Sequence, residues 1–306
     1  MIDIVSKRFW LLSLSGVVLV ICIVAAVVLG LKPAVEFKSG SMMTVSFAQP
    51  VEQAQLKQEL ANLGHANALV QRTEGGSFLI RVRELSGDEK VQLEKDLADK
   101  FGQITENQFF SVSPLIATET VQNAGIAVAA SLVGMLLYIA WAFRRISKPF
   151  RYGICAIIAL LHDVVIIVGV FAILGTILGW EIDLLFVTGV LAIVGYAINN
   201  AIVVFDRIRE NARRGISSDF SVVVNSSMVQ TLTRSLNTSI TTIFAVLALM
   251  LFVGSSLQNL TMVLLVGIVA GTFSSVFVAP LLLVVWEGAG WGWKLSSTAE
   301  TKARNG

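Results

Sequence analysis

Six apolar stretches divide the chain, and each is long enough to cross a membrane as a helix. They lie at roughly 9–31, 119–143, 151–178, 183–205, 227–253 and 259–286. A helix needs about 20 apolar residues to span the ~30 Å hydrocarbon core of a bilayer. The pattern therefore predicts an integral membrane protein with six transmembrane helices. The first stretch is longer than the apolar part of a cleavable signal peptide, so we expect it to remain as an anchor.

Residues 32–118, between the first two stretches, show a different pattern that is typical of a soluble domain. Strands are predicted at 42–47, 68–72, 78–83 and 104–112, and amphipathic helices at 51–63 and 86–101. Glu74-Gly75-Gly76, between the second and third strands, is a hairpin signal. The resulting order, βαββαβ, predicts an α+β domain of the ferredoxin-like type. The predicted organisation is an N-terminal tail and first helix (1–31), this domain (32–118), a five-helix transmembrane bundle (119–286) and a C-terminal tail (287–306).

The distribution of charge predicts the orientation of the spans. The net charge of +2 gives no support to nucleic-acid binding. Basic residues gather at one set of helix ends: Lys7, Arg8, Arg144, Arg145, Lys148, Arg151, Arg207, Arg209, Arg213 and Arg214. The opposite loops, 179–182 and 254–258, contain no Lys or Arg. Because cytoplasmic loops carry the excess of Lys and Arg, both termini are expected in the cytoplasm and residues 32–118 outside it.

A polar stripe interrupts the fifth apolar stretch. One predicted helix face carries Gln230 and the four polar residues that follow it at offsets of 4, 7, 8 and 11: Arg234, Asn237, Thr238 and Thr241. A charge at membrane depth costs roughly 2.5–3.5 kcal/mol on insertion scales. Such a group is retained where it faces a helix-bundle interior or an aqueous pathway. The stripe therefore predicts movement or coupling of some species inside the membrane, together with polar helix packing.

Three further groups of residues interrupt or modify the apolar stretches. His162-Asp163 is a proton relay, a structural pair that ties the third span to a neighbour, or a cap at the inner leaflet. A hydrolase dyad is the weakest interpretation, because no nucleophile with its own base is evident. Asn199-Asn200 can join helices by hydrogen bonds, but amides do not exchange protons at physiological pH.

Small residues at four-residue spacing, Gly267, Gly271 and Ser275, predict close helix packing along the sixth span. At 1.5 Å per residue, Asp163, Asn200 and Arg234 fall in one layer of the cytoplasmic half of the membrane. No catalytic triad and no metal-ligand pattern is evident in the sequence, so neither an enzyme nor a cofactor is expected.

Four stretches resemble the SecF branch of the SecD/SecF family, which belongs to the resistance–nodulation–division superfamily. They are Val194 to Asn211 (VGYAINNAIVVFDRIREN), Ala159 to Val164 (ALLHDV), Gln230 to Ser239 (QTLTRSLNTS) and Phe273 to Pro280 (FSSVFVAP). The resemblance implies a six-span subunit of the bacterial plasma membrane that pairs with SecD into a twelve-span unit. It also implies that the SecYEG channel and unfolded preprotein are partners, and that the proton-motive force drives export.

In one position the sequence departs from that family. An aspartate in span four and an arginine in span five belong to the family's proton path. The arginine corresponds to Arg234, whereas Asn200 stands where the aspartate is expected. Three interpretations follow: another acid, such as Asp163 or a carboxylate of the partner, supplies the proton site; coupling is weakened while assembly survives; or a different ion is used.

Two alternative functions remain open at this stage. One is a non-conducting scaffold that stabilises SecD and the SecYEG channel, an interpretation that Asn200 keeps open. The other is a small-molecule exporter subunit of the same superfamily. Such exporters usually carry about twelve spans and two large outer domains, so six spans and one domain count against this second alternative.

Overall fold

The computed structural model describes residues 3–73, 76–142, 144, 149–253 and 257–288. Glu74 and Gly75 of the predicted turn, the basic residues Arg145 and Lys148, and the tail 289–306 lie outside the described residues. The chain divides into two compact units. The helical unit comprises residues 1–31, 128–180 and 185–306, and the sheet unit comprises residues 32–127 and 181–184.

Ten α-helices and four strands follow one another along the described part of the chain. They are α1 (Arg8–Leu29), α2 (Val35–Lys38), β1 (Gly40–Phe47), α3 (Gln53–Asn62), β2 (Leu69–Arg72), β3 (Phe78–Val82), α4 (Gly87–Phe101), β4 (Ile104–Val112), α5 (Pro114–Ala142), α6 (Pro149–Leu178), α7 (Leu184–Arg214), α8 (Phe220–Val253), α9 (Gln258–Phe273) and α10 (Ala279–Gly288). Within the described residues, six helical segments are long and apolar enough to cross a membrane, which confirms the six predicted spans.

Helix α7 is longer than the apolar pattern predicted, because its polar end is stabilised by its own side chains. The fourth apolar stretch ends near residue 205, but the helix continues to Arg214. Asp206 pairs with Arg209 at 2.7 Å, and Glu210 pairs with Arg214 at 2.6 Å. Ion pairs at these spacings support an exposed helix. The helix ends before Gly215, whose φ of +65° lies in the left-handed region that favours glycine.

The sixth span contains a break that the sequence pattern did not predict. Between α9 and α10, residues Ser274–Val278 form a π-helical turn. Pro280 follows closely, and a proline inside a helix cannot donate a backbone hydrogen bond and clashes with the carbonyl group four residues earlier. A wider turn relieves that clash, and such turns often occur at functional sites.

The sheet unit holds one antiparallel sheet with the strand order β2-β3-β1-β4. From β1 to β4 its element order is β-α-β-β-α-β, and each boundary of these elements differs from the predicted one by at most two residues. The short helix α2, which the sequence pattern did not predict, precedes β1. The alternation of the strands directs Met43, Val45 and Ile80 into a buried core, where Leu56 of α3 and Leu97 of α4 also lie. The two helices and the sheet therefore share one apolar core.

Candidate functional site

A chain of four hydrogen-bonded side chains lies inside the helical unit. The Ser15 hydroxyl of α1 lies 2.8 Å from Nε2 of His162 on α6, and Nδ1 of His162 lies 3.1 Å from Oδ1 of Asp163. The Ser274 hydroxyl, on the π-helical turn, donates to Oδ2 of Asp163 at 2.7 Å. Asp163 is 1% exposed and His162 is 4% exposed. We call Ser15, His162, Asp163 and Ser274 the relay group.

The relay group contains side chains that can gain and lose a proton without losing all their partners. A neutral imidazole protonated on Nδ1 donates to Asp163 and accepts from the Ser15 hydroxyl at Nε2. An imidazolium donates at both nitrogens, and the Ser15 hydroxyl can then accept instead. A protonated Asp163 has its own O–H donor, so it can no longer accept from both neighbours in the same way. Protonation therefore changes which hydrogen bonds connect α1, α6 and the π-helical turn.

Glycines on α9 leave room beside this group. A side-chain carbon at Gly271 would lie 3.4 Å from Oδ2 of Asp163 and 3.1 Å from Cβ of Ala197. The same carbon at Gly267 would lie 2.4 Å from Cγ1 of Ile193 on α7. Ser275, next to Ser274, is buried and donates to the Gly271 carbonyl at 2.5 Å. Thus α9 approaches α7 closely at Gly267 and Gly271.

Asn200 is buried on α7 but does not join the relay group. Its side chain is 3% exposed, and no group in the described residues accepts a hydrogen bond from its Nδ2. Its neighbour Asn199 is exposed. Ser235 of α8 is equally buried, and its hydroxyl also has no partner among the described residues.

Arg234 is exposed in the single chain and is not brought into contact with the relay group. Its guanidinium makes no hydrogen bond or ion pair with any residue that the structure describes. It lines a cleft of about 410 Å³ together with Asp206 and Glu210. In the same cleft, Oε1 of Gln230 accepts from Nε of Arg207 at 2.6 Å. Two carboxylates therefore lie along the cleft that contains Arg234.

The polar stripe of α8 faces away from the described core. Asn237, Thr238 and Thr241 are exposed, and the two threonine hydroxyls donate to carbonyl groups of their own helix. Gln230, the first member of the stripe, does contact another helix, because its Oε1 accepts from Nε of Arg207 and from Nδ2 of Asn211 on α7. The packing role of the rest of the stripe stays a prediction.

A different row of small polar residues on α8 is buried. Its members are spaced by four residues: Ser227, Thr231, Ser235 and Ser239. The Ser239 hydroxyl lies 2.6 Å from that of Thr272 on α9 and accepts from the Tyr196 hydroxyl at 2.9 Å. This row was not predicted from the sequence, although its spacing of four residues is visible there. Ser15 was not predicted either; it is one of two serines, with Ser13, in a largely apolar helix.

Metal ligands do not gather in the described part of the chain. Across residues 3–73, 76–142, 149–253 and 257–288, no three His, Cys, Asp or Glu side chains lie close enough together to hold a metal ion. The fold and the site together define a class: a polytopic membrane protein with a sheet unit after its first span and buried, ionisable side chains among its helices.

Comparison with known proteins identifies the family. The model of "Protein export membrane protein SecD/SecF, C-terminal" matches residues 92–289. The SecF subunit of Thermobaculum terrenum is 43% identical over 299 residues, which cover 94% of each chain. That of Anaerolinea thermophila is 36% identical over 298 residues, with 95% and 96% covered. This chain belongs to the SecD/SecF family, which places it in Sec protein translocation and in a bacterial membrane.

The fold also matches a solved structure of a longer relative. SecDF from Thermus thermophilus, described as a translocon-associated membrane protein, superposes with a TM-score of 0.83 at 30% identity. The match covers 94% of this chain and 39% of that chain. SecDF of Bacillus subtilis is 31% identical, with 94% and 38% covered. This chain therefore corresponds to rather more than a third of a SecDF protein.

Proposed function

We propose that this chain acts with a SecD partner and the SecYEG channel to promote export of unfolded proteins across the bacterial plasma membrane. The proton-motive force drives this export, and the chain itself catalyses no covalent reaction. The near full-length similarity to SecF subunits and the match to SecDF support the pairing with SecD. The membrane lipid surrounds the six spans as their solvent.

The sheet unit, in this proposal, is a ferredoxin-like domain on the outer side of the membrane. The β-α-β-β-α-β element order and the strand order β2-β3-β1-β4 support the fold. The basic residues at the opposite helix ends support the location and cytoplasmic termini. An outer domain lies on the side where an exported chain emerges.

The relay group is the observation that carries the proton-coupled mechanism. Asp163 is the titrating carboxyl in this proposal. It replaces the family's aspartate at position 200, where this chain has Asn200. One of its oxygens bonds to His162 on α6 and the other to Ser274 on the π-helical turn. Gain of a proton at Asp163 weakens these bonds, and loss of the proton restores them. Each cycle therefore shifts the turn relative to α6.

The test is preprotein-stimulated proton uptake in vesicles that contain this chain, SecD and SecYEG. Asp163→Asn keeps the size of the side chain but cannot titrate, so uptake and proton-dependent export should both be abolished. Ser274→Ala should reduce both, because it removes one donor to Asp163. Ser275→Ala is the matched control, because that serine bonds to backbone and not to Asp163. Normal export and uptake with Asp163→Asn would overturn the assignment.

One observation favours a second candidate function, that of a non-conducting scaffold for SecD and SecYEG. Asn200 cannot exchange a proton, and Arg234 has no ionic partner in the described part of the chain. A scaffold needs neither a titrating carboxyl nor a paired arginine. Export that is still enhanced, with no proton uptake above that of protein-free vesicles, would identify this function.

A further inference from the structure

The outer connection between α6 and α7 is bound to the segment that follows α1. Residues 179–183 connect the two helices. The Ile182 amide donates to the Lys32 carbonyl at 2.8 Å, and the Ala34 amide donates to the Ile182 carbonyl at 2.8 Å. Pro33 and Ile182 thereby form a parallel β-bridge. Chain segments that lead directly to α1, α6 and α7 are thus joined by backbone hydrogen bonds.

An ion pair fastens this bridge to the sheet. Glu181, next to Ile182, pairs with Arg81 in β3, and both residues belong to the sheet unit. The Glu181 side chain is 9% exposed and that of Arg81 is 16% exposed. Arg81 is held by strands on both sides, because it lies opposite Met42 of β1 and Leu69 of β2. Removing one partner of a buried ion pair leaves an uncompensated charge, so such a contact is hard to break.

Burial and the nearby positive charges act in opposite directions on the pKa of the Glu181 carboxyl. Burial raises the pKa of the Glu181 carboxyl, while the positive charges of Arg81 and Lys38 lower it. Glu36 also acts on this carboxyl and raises its pKa. Arg81 and Lys38 therefore stabilise a carboxylate whose charge is disfavoured by burial and by Glu36.

We propose that the Arg81–Glu181 pair, together with the Ile182 bridge, transmits movement of α1, α6 and α7 to the sheet unit. This inference rests on the proposed function. Ser15 is on α1, and His162 and Asp163 are on α6, so two of the three helices carry the relay group. The three residues from the end of α6 to Glu181 span at most roughly 10–11 Å, which leaves little slack. A displaced helix end therefore pulls on Arg81.

The experiment measures export and proton uptake in the same vesicles for Arg81→Met, Glu181→Gln and the double variant. Each single variant should lower the stimulation of export about fivefold or more, the lower end of typical coupling between distant sites. Proton uptake should be retained, because the relay group is untouched. The double variant should be no worse than the worse single variant, because both remove the same contact. The charge-reversed pair Arg81→Glu with Glu181→Arg should recover part of the export that each reversal alone abolishes.

The exposed pair Arg83–Glu89, at 2.6 Å in the same unit, supplies the control. Arg83→Met and Glu89→Gln should leave export unchanged. Wild-type export in both Arg81→Met and Glu181→Gln would overturn the inference, as would additive losses in the double variant. Loss of proton uptake in the single variants would also overturn it, because transmission lies beyond the proton site. If the wild-type chain itself takes up no protons, the proposed function fails. The non-additivity of export then still tests the contact.

Discussion

Asp163 accepts hydrogen bonds on both of its oxygens in a position with almost no exposure to solvent. A buried polar group of this kind depends on each partner, because an unmade bond costs about 1–3 kcal/mol. His162 depends on Ser15 in the same way, and this serine is the one member of the group on α1. At the scale of single residues, the site is therefore a connected set in which each side chain restrains the next.

Ser15→Ala tests that dependence. The variant leaves Nε2 of His162 without its described partner, so we expect a loss of stability of about 1–3 kcal/mol. Ser13→Ala is the matched control, because Ser13 is exposed two residues earlier on the same helix. It should change stability by no more than about 0.5 kcal/mol. The measurement is the unfolding free energy of the purified chain in detergent, and equal values for the two variants would contradict the account.

At the scale of elements, close approach of α9 to α7 positions the π-helical turn. Gly267 and Gly271 lie one turn apart on α9, where an added side-chain carbon would clash at Gly267 and be tightly packed at Gly271, and Ser274 follows one turn later. The turn widens the helix just before Pro280, and this places the Ser274 hydroxyl on Asp163. A change in the packing of α9 against α7 is therefore expected to change the geometry of the relay group.

Gly267→Ala is expected to disturb this packing. The added carbon would lie 2.4 Å from Cγ1 of Ile193, and overpacking of this kind costs about 1–3 kcal/mol. Gly134→Ala on α5 is the matched control, since beyond its chain neighbours and its own helix backbone no described atom lies within 4 Å of the added carbon. Within a helix, replacing glycine with alanine raises the unfolding free energy by roughly 0.5–1 kcal/mol. Thermal unfolding in detergent should separate the two variants, and a Gly267→Ala chain as stable as the control would contradict the packing.

At the scale of the whole molecule, the orientation of the spans determines on which side of the membrane the sheet unit and the connection between α7 and α8 lie. Lys57→Cys in α3 is expected to react with an impermeant maleimide in intact spheroplasts. Ser218→Cys, between α7 and α8, should react only after the membrane is opened. Both positions are exposed, and the native Cys22 and Cys155 are buried. The reverse labelling pattern would contradict the proposed orientation.

The sequence predicts the architecture well and the site only in part, for physical reasons. Long apolar runs outweigh other signals, so all six spans could be located. Asp163 and His162 could be found because charge is rare in such runs. The buried face of α8 could not be predicted, because two of its faces carry polar residues and only the neighbouring helices determine which face is covered. The part played by Ser274 depends on a π-helical turn, which has no simple periodic signal.

Proton exchange at Asp163 is tested most directly by the infrared difference spectrum of the chain, reconstituted with SecD, between high and low pH. We expect a protonated-carboxyl band that appears as the pH falls in the native chain and that loses one component in Asp163→Asn. Glu287→Gln, which alters a carboxyl that pairs with Arg151 outside the relay group, serves as the control and should retain that component. Identical difference spectra for the native chain and Asp163→Asn would show that Asp163 does not exchange a proton, and would contradict the account.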